Sequence, residues 1–193
     1  MKPIVSMLAV TMVSVLSLQG AGCRNTGVGD PCTPEQEYDA TFEGFSEKEV
    51  SVETRSFQCQ TRTCLVNHFR GRVSCPEGQA SDGSGGCVVP GSEIPVVPQR
   101  PAPLGSCVAA QCMDRQADDA VYCSCRCANL AGKTDDGSVY CECPEAFECT
   151  ELVASIGAAR SEGLTGRYCV KRGTEFRAGS NCNAPSDATT CVQ

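Results

Sequence analysis

Residues 121–144 read VYCSCRCANLAGKTDDGSVYCECP, and five of these 24 residues are cysteines. In extended chain, successive side chains point to opposite faces. Cys123, Cys125 and Cys127 therefore share one face, with Tyr122, Ser124 and Arg126 on the other. Cys141 and Cys143 share a face opposite Tyr140 and Glu142. Gly132, Asp135, Asp136 and Gly137 supply turn chemistry between the two arms. The pattern predicts a hairpin with five sulfurs on one side. Neighbours at i and i+2 on a strand lie ~6.5–7 Å apart, too far to bond easily to each other. Their partners come from other segments, which makes this stretch the hub of a disulfide framework.

The whole chain supports that reading. Seventeen of 193 residues are Cys, a proportion that marks a disulfide scaffold in an exported protein. Aromatic residues make up 5 %, Trp is absent, and 19 Gly and 11 Pro favour turns over long helices. The fold class expected is small, disulfide-rich and mainly β, with short strands, hairpins and long loops and little helix. The formal net charge of −7 argues against nucleic acid as a partner.

The N-terminus reads as an address. Lys2 precedes residues 4–18, which carry no charge, a length that suits a signal peptide and is short for a membrane span of roughly 20 residues. Gly20, Ala21 and Gly22 then lead to Cys23, as in a bacterial lipobox, although Gly20 stands where Leu is usual. Residues 1–22 are expected to be a lipoprotein signal peptide, Cys23 the lipidated residue carrying palmitate-type acyl chains, and 23–34 a tether. The alternative is ordinary signal-peptidase cleavage after Ala21 or Gly22. Parity favours lipidation. Without Cys23, sixteen cysteines remain as disulfide candidates: Cys32, Cys59, Cys64, Cys75, Cys87, Cys107, Cys112, Cys123, Cys125, Cys127, Cys141, Cys143, Cys149, Cys169, Cys182 and Cys191. Arg24 follows Cys23 and, by enteric sorting rules, favours the outer membrane.

Residues 35–193 are expected to form a single disulfide-pinned unit. Residues 49–53 alternate polar and apolar and read as a strand. Residues 63–74 read as another, with Leu65 and Phe69 on one face and Cys64 and Val66 beginning the other. Residues 88–105 hold Pro90, Pro95, Pro98, Pro101 and Pro103 and cannot be helical. Five candidate cysteines precede this stretch and eleven follow it. Both counts are odd, so full pairing sends an odd number of bridges across it, which makes it a strap within one unit. Residues 144–160 could hold one or two helical turns. Arg55, Arg62, Arg70 and Arg72 fall in residues 55–75, which contain no acid. They either face an anionic partner or pair with the acidic residues on either side, the latter being the expectation.

Little catalytic chemistry is visible. His68 is the only histidine, and a hydrolase would have to use it. The C-x-C-x-C array also suits soft-metal thiolate binding, but an oxidising envelope turns it to disulfides. C-x-x-C, the usual redox spacing, does not occur. Asp135-Asp136-Gly137 is too short for a calcium loop and reads as a turn. No catalytic residue, metal ligand or cofactor is assigned.

The GAGC leader, GDPCTPEQEY, RSFQCQTRTCLVNHFRGRVSCP, and ADDAVYCSCRC through YCECPEAFECTELV to GRYCVKR together resemble cysteine-rich lipoproteins of the myxobacterial kind. The resemblance covers most of the chain after Gly22. It implies a lipid-anchored protein of the bacterial cell envelope of unknown molecular role; the function expected from the chain as a whole is non-enzymatic binding or structure, with attachment to the membrane through the lipid and a protein or envelope partner. It carries over no site residue.

Overall fold

In the computed structural model, which describes residues 27–80, 85–97, 107–153, 164–179 and 182–183, two small antiparallel sheets carry the fold. The first joins β1 (Val50–Glu53), β2 (Thr63–Asn67) and β3 (Val121–Ser124) in the order β1-β2-β3. The second joins β4 (Arg126–Ala128), β5 (Phe147–Val153) and β6 (Gly166–Lys171) in the order β4-β6-β5. Among the described residues, helix is confined to a 3₁₀ turn at Glu35–Tyr38 and a single turn, α1 (Ala117–Ala120). The fold is thus disulfide-rich and mainly β, as the composition implies.

β2 is the centre. All five of its residues are buried, as expected for a strand covered on both faces and both edges. Cys64 and Val66 join one apolar cluster, with Cys32, Phe45, Cys59 and Cys123. Leu65 points into the other, with Tyr122, Cys125, Cys127 and Phe147. The strand ends sooner than its sequence suggests. His68 adopts φ 51°, a left-handed conformation that breaks the ladder. The alternation is reset there, so Phe69 packs with Cys64 and Val66 rather than with Leu65.

The expected cysteine hairpin does not form. The chain leaves the first sheet after Ser124 and enters the second at Arg126. Cys123 packs in one cluster, Cys125 and Cys127 in the other, so the sulfurs do not share a face. The ladder partner of β4 is β6, whereas residues 139–144 form no strand. They are held by backbone bonds from Cys141 N–H to the Arg126 carbonyl at 3.0 Å and from Phe147 N–H to the Pro144 carbonyl at 2.8 Å, and by disulfides, one of which, Cys125–Cys141, joins the two arms themselves rather than another segment. The turn between the arms is as expected. Asp136 accepts from Tyr140 Oη at 2.7 Å, Ser138 N at 3.0 Å and Asn129 Nδ2 at 3.0 Å, bonds that hold its carboxyl below the usual range.

Three further expectations change. Residues 147–153 are the strand β5, not a helical turn, and residues 154–163 lie outside the described residues. Residues 27–34, expected within a tether, lie against β3. Gly29 N–H donates to the Cys123 carbonyl, Cys123 N–H donates to the Asp30 carbonyl, and Cys32 is buried. The described part of the Pro-rich stretch is folded back rather than extended. Ser92 N–H closes a turn onto Val89, with Pro90 at its second position and Gly91 at φ 72° in its third, the geometry of a type II turn. Val89 and Val96 are buried beside Cys75, Cys87 and Val108. Residues 98–105 lie outside the described residues.

The arginine segment divides. Arg55 and Arg62 are exposed, but Arg70 and Arg72 are 4 % and 0 % exposed. The hydrogen bonds of the buried pair go to backbone carbonyls, while the charge of Arg72 also acts on the carboxylates of Glu37 and Asp39 in the acidic segment before it. Arg70 donates to the Ala110 carbonyl at 3.0 Å. Arg72 donates to the carbonyls of Asp39 at 3.2 Å, Phe42 at 2.9 Å and Glu37. In return, the buried Glu37 carboxylate accepts the N–H groups of Val73 at 2.6 Å and Ser74 at 2.9 Å. The fork of Arg satisfies several loop carbonyls that no strand could reach. We expect Arg72→Leu to destabilise the disulfide-intact protein by roughly 3–5 kcal/mol, since it strands the buried Glu37 charge. Arg62→Leu, at an exposed site, should cost less than about 1 kcal/mol. Urea unfolding without reductant separates the two; equal effects would contradict the clamp.

Candidate functional site

Fifteen of the sixteen disulfide candidates lie among the described residues, and each is disulfide-bonded. Seven bridges are resolved: Cys32–Cys64, Cys59–Cys123, Cys75–Cys87, Cys112–Cys182, Cys125–Cys141, Cys127–Cys149 and Cys143–Cys169. Their Cα–Cα separations run from 4.7 to 6.2 Å, inside the range a disulfide spans. Cys107 is bonded as well. Cys23 and Cys191 lie outside the described residues. Of the resolved bridges, Cys59–Cys123 alone crosses the Pro-rich stretch, an odd number as parity requires. A framework of this density belongs to a protein exported from the reducing cytoplasm.

The bridges gather in two places. Sulfurs of Cys32, Cys59 and Cys123 lie within 4.8 Å of one another, as do those of Cys125, Cys141 and Cys169 and of Cys127, Cys143 and Cys169. These groupings resemble thiolate metal sites in spacing. Each sulfur is already half of a disulfide, and a disulfide sulfur offers no thiolate to a metal. Fifteen bonded cysteines and the partner of Cys107 leave one. Thiol titration of denatured, unreduced protein should therefore find at most one free sulfhydryl per chain. Five or more, with stoichiometric zinc, would restore the metal reading.

His68 has a structural setting. Its Nδ1 lies 2.8 Å from the Glu47 carbonyl, so that nitrogen carries the proton in the neutral ring. The ring stacks on Phe176 with centroids 4.1 Å apart and planes 7° from parallel. Among the described residues, no hydroxyl, thiol or carboxylate side chain hydrogen-bonds the ring. Arg115, which the sequence reading passed over, locks the same turn. It is 1 % exposed and donates to the carbonyls of His68 at 2.7 Å, Asn67 at 2.6 Å and Thr174 at 2.6 Å.

Burial lowers the His68 pKa, aided by the Arg115 charge and opposed by the Glu47 hydrogen bond. The folded ring therefore resists a proton that the unfolded chain accepts near pH 6.5. The unfolded state binds more protons in that window, so this contribution to stability is complete above about pH 6.5 and is lost as pH falls. His68→Asn suits the left-handed backbone and removes the titration. It should flatten the stability profile between pH 7 and 5, at a cost near neutrality of about 0.5–1.5 kcal/mol of ring stacking. Unchanged steepness in denaturant titrations across that range would contradict the buried-histidine account.

A surface groove among the described residues also has binding character. The 3₁₀ turn supplies Glu35 and Tyr38, the end of β1 supplies Glu53, and the following loop supplies Arg55, Phe57 and Arg62, around a cavity of about 540 Å³. An adjoining depression of about 400 Å³ shares Glu35, Glu53 and Arg55. Tyr38 and Phe57 are 51 % and 89 % exposed. The Arg62 guanidinium sits 4.5 Å from the Phe57 ring centroid, within cation–π reach. Such a groove can stack, donate and accept hydrogen bonds. The sequence reading assigned nothing to Phe57. The available signal was a lone apolar ring within the polar run TRSFQCQTR.

No protein-family model, no curated protein and no solved structure matches the chain.

Proposed function

We propose that this exported protein is a lipid-anchored, non-enzymatic module of the bacterial cell envelope, facing the aqueous side of the outer membrane, where it binds or structures a neighbouring envelope component. Cysteine bookkeeping carries the reading. The described residues consume fourteen cysteines in seven bridges, and Cys107 is a fifteenth bonded one. Two remain, Cys23 and Cys191. One closes the Cys107 bridge and the other is left over. Cys23 stands at the end of a signal-like apolar run, directly after Ala21-Gly22, where a thioether to diacylglycerol would use its sulfur. That assigns Cys191 to Cys107. Acyl chains at about 0.8 kcal/mol per buried methylene would make the attachment effectively permanent. The resemblance to myxobacterial lipoproteins points the same way, and the setting of His68 offers no support for a hydrolase.

The test is peptide mapping without reduction, combined with mass analysis of the N-terminal peptide. The expected result is a Cys107–Cys191 bridge and a chain beginning at Cys23 with acyl mass. A Cys107–Cys23 bridge, or an unmodified chain beginning at Gly22 or Arg24, would overturn the anchor.

A further inference from the structure

We propose that the loop of residues 55–62 is a membrane-docking surface, with Phe57 entering the headgroup region of the bilayer and Arg55 and Arg62 contacting anionic phospholipid phosphates. The inference rests on the lipid anchor at Cys23 and deepens that reading.

The argument begins with where the described chain starts. Gly27 is buried, and a Cβ placed on it would lie 3.1 Å from Gln60. Six residues on, Thr33 exchanges two hydrogen bonds with the Gln58 side chain, N–H to Oε1 at 3.0 Å and Nε2–H to the carbonyl at 2.8 Å. The segment leading from the anchor is therefore seated on this loop. Only four Cα steps separate Cys23 from Gly27, a span of at most about 14 Å. An acylated Cys23 sits at the membrane surface, so the loop must lie close to that surface whatever path residues 24–26 take.

The loop has the chemistry of a membrane interface. It is small and closed: Ser56 N–H donates to the Arg62 carbonyl at 3.1 Å, Arg62 N–H donates to Cys59 at 2.9 Å, and the Cys59–Cys123 disulfide fixes it to β3. Phe57 is 89 % exposed in a chain with six Phe and no Trp. A single exposed ring is common on a water-facing surface, but one held beside a membrane anchor is placed where aromatic side chains seat at the membrane–water interface. The loop carries two arginines and no acid, against a whole-chain net charge of −7. Cationic side chains beside an anchor are drawn to anionic lipid. Arg62 also adopts φ 64°, a conformation glycine would hold without strain. Its guanidinium over Phe57 is what the strained position provides. The acids nearby are Asp30, whose carboxylate lies beside Gly27, and Glu35 and Glu53 in the groove. The Glu53 carboxylate is engaged by the Glu35 N–H at 3.0 Å.

The absence of Trp makes the test clean. Phe57→Trp gives the acylated, full-length protein one indole. The protein is reconstituted on vesicles of phosphatidylethanolamine with phosphatidylglycerol, and acylation is verified by mass. We expect the emission to move to shorter wavelength on vesicles relative to detergent-free buffer. Acyl chains brominated near the headgroup should quench it several-fold more than they quench Val139→Trp, placed at a 95 % exposed site on the loop after β4. Adding Arg55→Gln and Arg62→Gln should reduce the quenching, as should replacing phosphatidylglycerol with phosphatidylcholine. An acylated, vesicle-bound protein whose Phe57→Trp emission stays at the buffer wavelength, quenched by iodide but not by brominated lipid, overturns the docking surface alone. That outcome would turn the loop toward a soluble protein or saccharide partner. A protein without acyl mass that does not bind vesicles overturns the anchor and the docking surface together.

Discussion

Cys64 on β2 and Cys123 on β3 face each other across the first sheet, yet neither bonds to the other. Each reaches outward, Cys64 to Cys32 and Cys123 to Cys59. The rest of the molecule depends on this arrangement. A bond between the two cross-strand cysteines would have reinforced a ladder that already exists. Directed outward, the same sulfurs tie the N-terminal segment and the 55–62 loop to the central strands. Closing a loop of 64 residues removes on the order of 4 kcal/mol of unfolded-chain entropy in the chain-entropy picture. For a chain with few aromatics and strands of three to seven residues, that constraint stands in for a large apolar core.

Where the bridges stop, guanidinium groups continue. Long loops leave carbonyls that no ladder satisfies, and buried carbonyls need donors. Arg72 and Arg115 lie among the most deeply buried large side chains and between them serve six carbonyls. Arg72 gathers the turn after Tyr38; Arg115 gathers the end of β2 and the turn after β6. Burying such charge is expensive, and the several hydrogen bonds each one makes offset that cost. These arginines act as nodes of the loop network, a role that strands play in a protein richer in sheet.

The legibility of the sequence followed the range of the interaction involved. The strand at Val50–Glu53 was visible because alternation is local. The disulfide character was visible because it is a matter of counting. The hairpin at 121–144 was misread because a period of two does not reveal where a strand changes sheets, as this one does at Cys125. Phe69 was assigned to the wrong face because nothing local announces that His68 takes a left-handed conformation. Arg70 and Arg72 were expected to meet carboxylates because side-chain charges are visible in a sequence. Their hydrogen-bond acceptors are backbone carbonyls about 30 to 40 residues away, which every residue carries alike, although the Glu37 and Asp39 carboxylates do act on the Arg72 charge. The groove at Tyr38 and Phe57 depends on the folding together of a turn and a loop far apart in sequence, although the isolated ring of Phe57 was there to be noticed.

The stacking of disulfides in the second sheet has a kinetic consequence. Cys169 Sγ lies 3.7 Å from both Cys125 Sγ and Cys141 Sγ, although its own bond is to Cys143. Thiol–disulfide exchange proceeds by attack of a thiolate on a neighbouring disulfide sulfur. A thiolate released in this cluster meets that sulfur at an effective concentration set by contact, not by diffusion. Breaking one bond here opens a choice among several pairings rather than a free end. Once a thiolate is free in the cluster, the geometry leaves exchange among its sulfurs open, and the packing of β4, β5 and β6 favours the pairing seen in the fold.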